Sequence, residues 1–360
     1  MSENAVRDDE LRAVERAVDA LRAGALVGVR VENGAAFAVA AAERLSDETL
    51  TALKKGGAPD LVLTHHRAAT LRMRLYTPQI VAIPVSAASP GDLRTLADPA
   101  DDLMHPLRGP FAVKRETLSP AYAASVRLAK LAGLLPAVVV APAPKDLHAV
   151  AVSCAAIDAY DDGAADALEL ISSARVPLAG AENTRIFAFR PSDGGPEHLA
   201  IVVGDPAPPG PVLARLHSEC FTGDLLGSLK CDCGDQLRAA IAAMGREGAG
   251  VLLYLSQEGR GIGLMNKLRA YRLQDQGFDT MEANRRLGFE DDERSFRPAA
   301  AMLRKLGFTK VRLLTNNPEK VAGLAREGIE VTERVPHAFP ANPHNAHYLA
   351  VKRDKGGHDL

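Results

Sequence analysis

The sequence predicts an α/β (α+β) protein of two domains, each a mixed sheet with packed helices. Three observations carry this. The chain has 360 residues, 47% of them hydrophobic and only 4% aromatic, with no Trp, which supplies apolar material for more than one core. Short apolar runs bounded by turn residues alternate with stretches of helical period. Several of those runs end at polar loops, where ligands of α/β sheets bind.

In chain order, Leu11, Val14, Val18 and Leu21 recur at helical spacing and Gly24 closes that segment. The run ALVGVRV then reads as a strand, as do DLVLT and QIVAIPV. An Ala-rich helix around Ala121 to Ala132 precedes the apolar strand PAVVVAP. A helix near Asp161 to Ser173 leads into ARVPLAGAEN, where the pattern weakens, and the domain boundary falls near residue 175, giving domains 1–175 and 176–360. Beyond it, the strands FAFR and HLAIVVGD flank the loop PSDGGPE, and the Pro-rich turn PAPPGP leads into VLARLHSEC. The helix DQLRAAIAAMGREG and the strands GVLLYL and VRLLT complete the second domain.

Composition excludes several classes. The 43 Lys+Arg and 45 Asp+Glu leave a net charge of −2, so no basic domain advertises a nucleic-acid partner. MSENAVRDDELRAVERAVDAL is acidic and amphipathic rather than a leader, and no apolar run reaches membrane-spanning length. The chain reads as cytoplasmic, with no membrane partner. In a reducing compartment, clustered cysteines are metal ligands or catalytic groups more often than disulfides.

Three of the four cysteines, Cys220, Cys231 and Cys233, stand in HSECFTGDLLGSLKCDCGDQL. Thiolate is a strong zinc ligand, and three protein ligands leave a fourth tetrahedral position, as in catalytic zinc sites, where zinc lowers the pKa of a water to about 7. The spacing equally admits a structural zinc, with His217 the nearest fourth ligand, or plain reduced thiols. Cys154, alone in an apolar run, reads as a core residue.

Phosphate chemistry is suggested twice. In YLSQEGRGIGLMNKLRAYRLQDQG, Gly259, Gly261 and Gly263 follow a strand and precede a helix, so that backbone N–H groups and Arg260 could cradle phosphates, although a tight turn alone explains the glycines. TNNPEK, Thr315 to Lys320, repeats the arrangement after VRLLT. The acidic run EDDER, Glu290 to Arg294, reads by itself as a solvated turn.

Taken together, RLHSECFTGDLLGSLKCDCGDQL, YLSQEGRGIGLMNKLRAYRLQDQGFDTMEAN, LGFEDDERSF and LLTNNPEK closely resemble GTP cyclohydrolase II from about residue 176 onward. The resemblance implies conversion of GTP to 2,5-diamino-6-(5-phosphoribosylamino)pyrimidin-4-one, formate and pyrophosphate, the first step of riboflavin biosynthesis, with one Zn²⁺ per chain, Mg²⁺ and a homodimer. It makes Cys220, Cys231 and Cys233 the zinc ligands. Arg215, Leu216, His217, Ser218, Glu219, Gln236, Glu258, Gly259, Arg260, Thr280, Thr315 and Lys320 become the GTP-binding set, with Glu258 suited to the guanine edge. Asp292 matches the general base, Arg294 the nucleophile toward the α-phosphorus, and Tyr271 the tyrosine of the ring-opening stage. A guanidinium with a pKa above about 12 is a poor nucleophile, so stabilising the departing pyrophosphate is the physically easier task for Arg294. Two other readings are a relative that stops at the formamide intermediate or takes another purine nucleotide, and a zinc-organised binding module without chemistry.

The first 175 residues, with AAAERLSDETLTALKKGG, resemble the first half of 3,4-dihydroxy-2-butanone 4-phosphate synthase. That enzyme needs clustered carboxylates for Mg²⁺. Here the corresponding loop reads RVENGAAFAVAA with Glu32 alone surviving, and the later histidine loop has become TLSPAYAAS. His105 in LMHPLRG matches one family histidine. The expectation is a degenerate domain without synthase activity, kept for assembly or stability.

Overall fold

The computed structural model describes residues 3–346, 350, 353 and 354. The chain opens with α1 (Glu3–Arg22), whose Leu11, Val14, Val18 and Leu21 are buried as the helical spacing predicts. The strands β1 (Val27–Arg30) and β2 (Ala36–Ala41) form an antiparallel hairpin. Its turn is closed by hydrogen bonds from the Val31 N–H to the Ala35 carbonyl and from the Gly34 N–H to the Val31 carbonyl. Glu32 is the carboxylate in this short turn.

Next come α2 (Asp47–Gly56), β3 (Asp60–Thr64), α3 (His65–Thr70), β4 (Ile80–Pro84) and α4 (Pro90–Ala97). They are followed by α5 (Pro120–Leu131), β5 (Ala137–Pro142), β6 (Val150–Ser153) and α6 (Cys154–Asp166). Ser119, in the stretch TLSPAYAAS, caps α5 and Pro120 occupies its first turn. The six strands lie in the order β4-β3-β5-β2-β1-β6, antiparallel except for the β1–β6 pair.

The expected helix from Asp161 to Ser173 is corrected. It begins earlier, as α6, with the buried Cys154 as its first residue, and stops at Asp166. Residues beyond it form β7 (Leu168–Arg175), because they pair antiparallel with β8 (Thr184–Pro191). The second sheet continues with β9 (His198–Gly204) and β10 (Val212–Ser218), then α7 (Cys233–Glu247) and β11 (Ala249–Leu255). After α8 (Gly263–Asp275) and α9 (Thr280–Arg286) come α10 (Arg297–Lys305), β12 (Lys310–Leu314), α11 (Pro318–Arg326) and β13 (Glu330–Val335). EDDER falls in the loop between α9 and α10.

This sheet runs β13-β12-β10-β11-β9-β8-β7. Its β13, β12, β10 and β11 are mutually parallel, and β9, β8 and β7 add antiparallel. The strands alternate their side chains between two cores, as period two requires. Leu213 and Leu252 meet Ala240 and Met244 of α7 on one face. Val212, Ala214, Val251 and Leu253 join Met302 and Leu303 of α10 in the core on the other. Burial on both faces explains why GVLLYL reads as a continuous apolar run.

The chain forms two compact units, Met1–Asp161 with Ile262–Glu293, and Asp162–Gly261 with Arg294–Leu360. A single boundary near residue 175 does not anticipate this division. The excursion Ile262–Glu293 joins the first unit because Ile262, Ala270, Leu273, Ala283, Leu287 and Phe289 share one buried cluster with Leu53, Leu63, Leu93 and Val139. Polar contacts fix it there: the Thr64 hydroxyl donates to the Gly288 carbonyl at 2.8 Å, and Lys130 meets Glu293 at 2.6 Å.

Candidate functional site

Three parallel strands of the second unit bring the predicted residues to one sheet end. Arg215 to Ser218 close β10 with Glu219 just after it, Glu258 to Arg260 follow β11, and Thr315 follows β12. The crevice outside the carboxyl ends of parallel strands is where such sheets bind ligands.

The cysteines gather beside it. Cys220 follows β10, a single π-helical turn spans Phe221–Leu225, and Cys233 opens α7, where the helix N-terminus favours negative charge. The Sγ atoms of Cys220, Cys231 and Cys233 lie within 4.8 Å of one another, with 3.8 Å between those of Cys220 and Cys231. The Gly223 N–H donates to the Cys220 sulfur at 3.3 Å. Two glycines permit this closeness. A Cβ on Gly223 would stand 2.8 Å from the Cys231 sulfur, and one on Gly234 would stand 2.3 Å from the Gly223 carbonyl oxygen. The neighbouring Cys220 thiol, with burial adding, pushes the Cys231 thiol above its ordinary value, so metal-free Cys231 holds its proton and metal binding releases it. Soft sulfur donors at this separation suit zinc.

Charged and polar groups surround the cluster. Arg215, buried, donates through Nη1 to the Leu314 carbonyl at 2.8 Å and through Nη2 to Gln236 Oε1. Burial lowers its pKa to about 10, opposed by Cys233 and Asp232. The Gln236 amide in turn donates to Asp232 at 2.5 Å. Lys320 donates to the Leu216 carbonyl at 2.8 Å, Arg294 approaches the Ser218 hydroxyl at 3.5 Å, and Glu219 accepts from Ser256 at 3.1 Å. Glu258 is engaged within the chain, accepting from the N–H groups of Phe221 at 2.7 Å and Gly259 at 2.8 Å. Arg260 adopts a left-handed backbone with φ of 62°, between Gly259 and Gly261 at 65° and 92°. That conformation costs a non-glycine residue about 1–3 kcal/mol and clusters at ligand sites.

Among the described residues, the buried Arg215 Nε, His217 Nδ1 and Asn316 Nδ2 find no hydrogen-bond partner. Leaving such atoms unsatisfied costs about 1–3 kcal/mol each, which a polar ligand relieves.

Tyr271, Thr280 and Asp292 belong to the first unit. Tyr271 lies on α8 with the Lys267 ammonium 5.8 Å from its ring, Thr280 opens α9 and accepts from Gln274 at 3.2 Å, and Asp292 is in the loop after α9. Sequence reasoning passed over Asp224, Tyr254 and His337. The Tyr254–Asp224 and His337–Gln236 contacts join residues 30 and 101 positions apart, and the local signal was the position of Asp224 four residues after Cys220 and seven after His217, with both of which it hydrogen-bonds. His337 donates its backbone N–H to Asn316 at 2.8 Å, and its ring Nε2 lies 2.9 Å from the Gln236 carbonyl.

Comparison with known proteins agrees with this geometry. The family model described as GTP cyclohydrolase II matches residues 169–336. A GTP cyclohydrolase-2 of Azospirillum brasilense is 51% identical over 369 residues, covering 97% of this chain and 94% of that protein. One from Proteus mirabilis is 53% identical over 193 residues, covering 54% of this chain and 96% of its own. Among solved structures, RibBX, a two-domain 3,4-dihydroxy-2-butanone 4-phosphate synthase from A. baumannii, aligns over 84% of this chain and 93% of its own at 18% identity with a TM-score of 0.32. The fold and the site define a hydrolase built on two mixed sheets, with a three-cysteine candidate metal centre compatible with zinc. The chain belongs to the GTP cyclohydrolase II family. No helix among the described residues is long and apolar enough to cross a membrane.

Proposed function

We propose that this chain hydrolyses GTP to 2,5-diamino-6-(5-phosphoribosylamino)pyrimidin-4-one, formate and pyrophosphate, using one zinc held by Cys220, Cys231 and Cys233 and Mg²⁺ at the phosphates. The observation that carries this is the thiolate trio at the mouth of the parallel strands, beside buried polar atoms that find no partner among the described residues. Bound zinc supplies Lewis acidity and, at neutral pH, a source of hydroxide for C8 of the guanine. Arg260, Lys320 and Arg294 offset negative charge as pyrophosphate leaves. Arg215 to Glu219, Gln236, Glu258, Gly259, Thr280 and Thr315 hold the nucleotide. Asp292 acts as the general base, and the Tyr271 hydroxyl moves a proton during ring opening.

The chain works as a cytoplasmic homodimer without nucleic acid. The region before the cyclohydrolase motifs carries a synthase-like fold without synthase activity. Supporting this, Glu32 stands as a lone carboxylate in a tight hairpin, Ser119 serves as a helix cap, and the relative covering 97% of the chain bears the name GTP cyclohydrolase-2. Mass analysis of products after mixing the purified chain with GTP, Mg²⁺ and ribulose 5-phosphate tests the reaction and the loss of synthase activity. The diaminopyrimidine, formate and pyrophosphate should appear in equal amounts, and dihydroxybutanone phosphate should not. A formylated pyrimidine as the end product would move the reaction to one that stops early, and dihydroxybutanone phosphate above background would restore the synthase.

A further inference from the structure

Asp224 lies inside the loop that separates Cys220 from Cys231, and its side chain is 6% exposed. Its carboxylate accepts from the Cys220 backbone N–H at 3.0 Å, from the Tyr254 hydroxyl at 3.0 Å and from His217 Nε2 at 3.0 Å to each oxygen. Its own N–H donates to the Cys220 carbonyl at 2.7 Å. One carboxylate therefore ties the first thiolate to β10 through His217 and to β11 through Tyr254. The His217 and Tyr254 rings stack on one another, 5.5 Å between centroids and 17° between planes. Because Nε2 faces a carboxylate, it must carry the ring proton, which leaves Nδ1 as an acceptor. An apolar residue of the same size would strand the Cys220 N–H, Tyr254 hydroxyl and His217 Nε2 donors.

We propose that Asp224 is a positioning residue, holding Cys220 in ligating geometry and His217 in its Nε2-protonated form. Carboxylates in this outer layer around metal ligands typically change metal affinity by about 10–100-fold when altered. The inference rests on the reading that the three cysteines bind zinc.

Zinc-loaded wild type, Asp224→Asn and Tyr254→Phe test it. Asparagine keeps the shape but replaces one acceptor oxygen with a donor that must face Cys220 and Tyr254 or His217. Zinc content is measured by elemental analysis, and zinc transfer to a chromogenic chelator is followed in native buffer. The thermal midpoint of the metal-free protein is recorded alongside. Asp224→Asn should release zinc at least about 10-fold faster than wild type, while its metal-free midpoint stays close to that of metal-free wild type. Its ratio of formate to pyrophosphate should fall. A release rate within about two-fold of wild type overturns the proposal, and so does faster release from Asp224→Asn accompanied by collapse of its metal-free fold while Tyr254→Phe releases zinc normally. If Asp224→Asn does not fold, Tyr254→Phe decides alone: release several-fold faster supports the proposal, and an unchanged rate sinks it. Wild type that neither carries nor takes up zinc overturns the zinc reading itself, a result distinct from zinc-replete wild type with an unaffected variant.

Discussion

Cys231 is the residue on which the separation of two chemical tasks turns. Cys231→Ser replaces a soft thiolate with a neutral hydroxyl and should lose most of the zinc. Lys320 and Arg294 are positioned by Leu216 and Ser218 rather than by that sulfur. The variant should therefore release pyrophosphate while producing no formate, whereas Arg294→Ala abolishes both. Formate from zinc-free Cys231→Ser would exclude a catalytic metal. Tyr271→Phe should slow diaminopyrimidine formation by roughly 10²-fold, the scale of a general acid–base group, with little change in GTP affinity; an unchanged rate assigns the ring to packing. Two other residues set a pH limit on stability. Burial lowers the pKa of His198 and of His337 to about 4 each. The unfolded chain takes up these protons near pH 6.5 and the folded chain only near pH 4, so the unfolded state gains in stability as pH falls through that window. Denaturant midpoints should drop between about pH 6.5 and 4, and His337→Gln should flatten the drop. A midpoint slope unaltered by the substitution counts against it.

At the scale of the element, the contact between the π-helical turn and α7 decides whether the thiolates meet. Gly234 is in the first turn of α7, and a side chain there would press on the Gly223 carbonyl at 2.3 Å, a backbone atom that cannot swing aside. Alanine is otherwise the better helix former by about 1 kcal/mol. Gly234→Ala should therefore leave α7 helical yet part the Cys220 loop from Cys233, lowering zinc content and formate release together. Full zinc occupancy in that variant would mean that the loop tolerates the displacement.

At the scale of the molecule, the cyclohydrolase sequence supplies part of the first unit's core. Phe289, 1% exposed, shares a cluster with Leu53, Leu63, Leu93 and Val139. Phe289→Ala should destabilise that unit by about 3–5 kcal/mol, the usual range for a buried phenylalanine. Differential scanning calorimetry reads the shift. A loss below about 1 kcal/mol would show that the excursion Ile262–Glu293 adds little to this core.

Local patterns in the sequence determined the helix through Leu11 and Leu21, the strands DLVLT, PAVVVAP and GVLLYL, and the thiolate trio, because each is a matter of period or spacing along the chain. The family itself was legible from four short motifs. Residues 168–175 were not, since their pattern admits helix or strand and pairing with β8 decides between them. Nor did any local signal place Ile262–Glu293 with the first core, because core membership depends on which apolar faces meet after folding. Asp224 shows the same limit at a single residue. Its partner Tyr254 is 30 positions away, and only the parallel register of β10 with β11 brings His217 opposite that tyrosine to share one carboxylate.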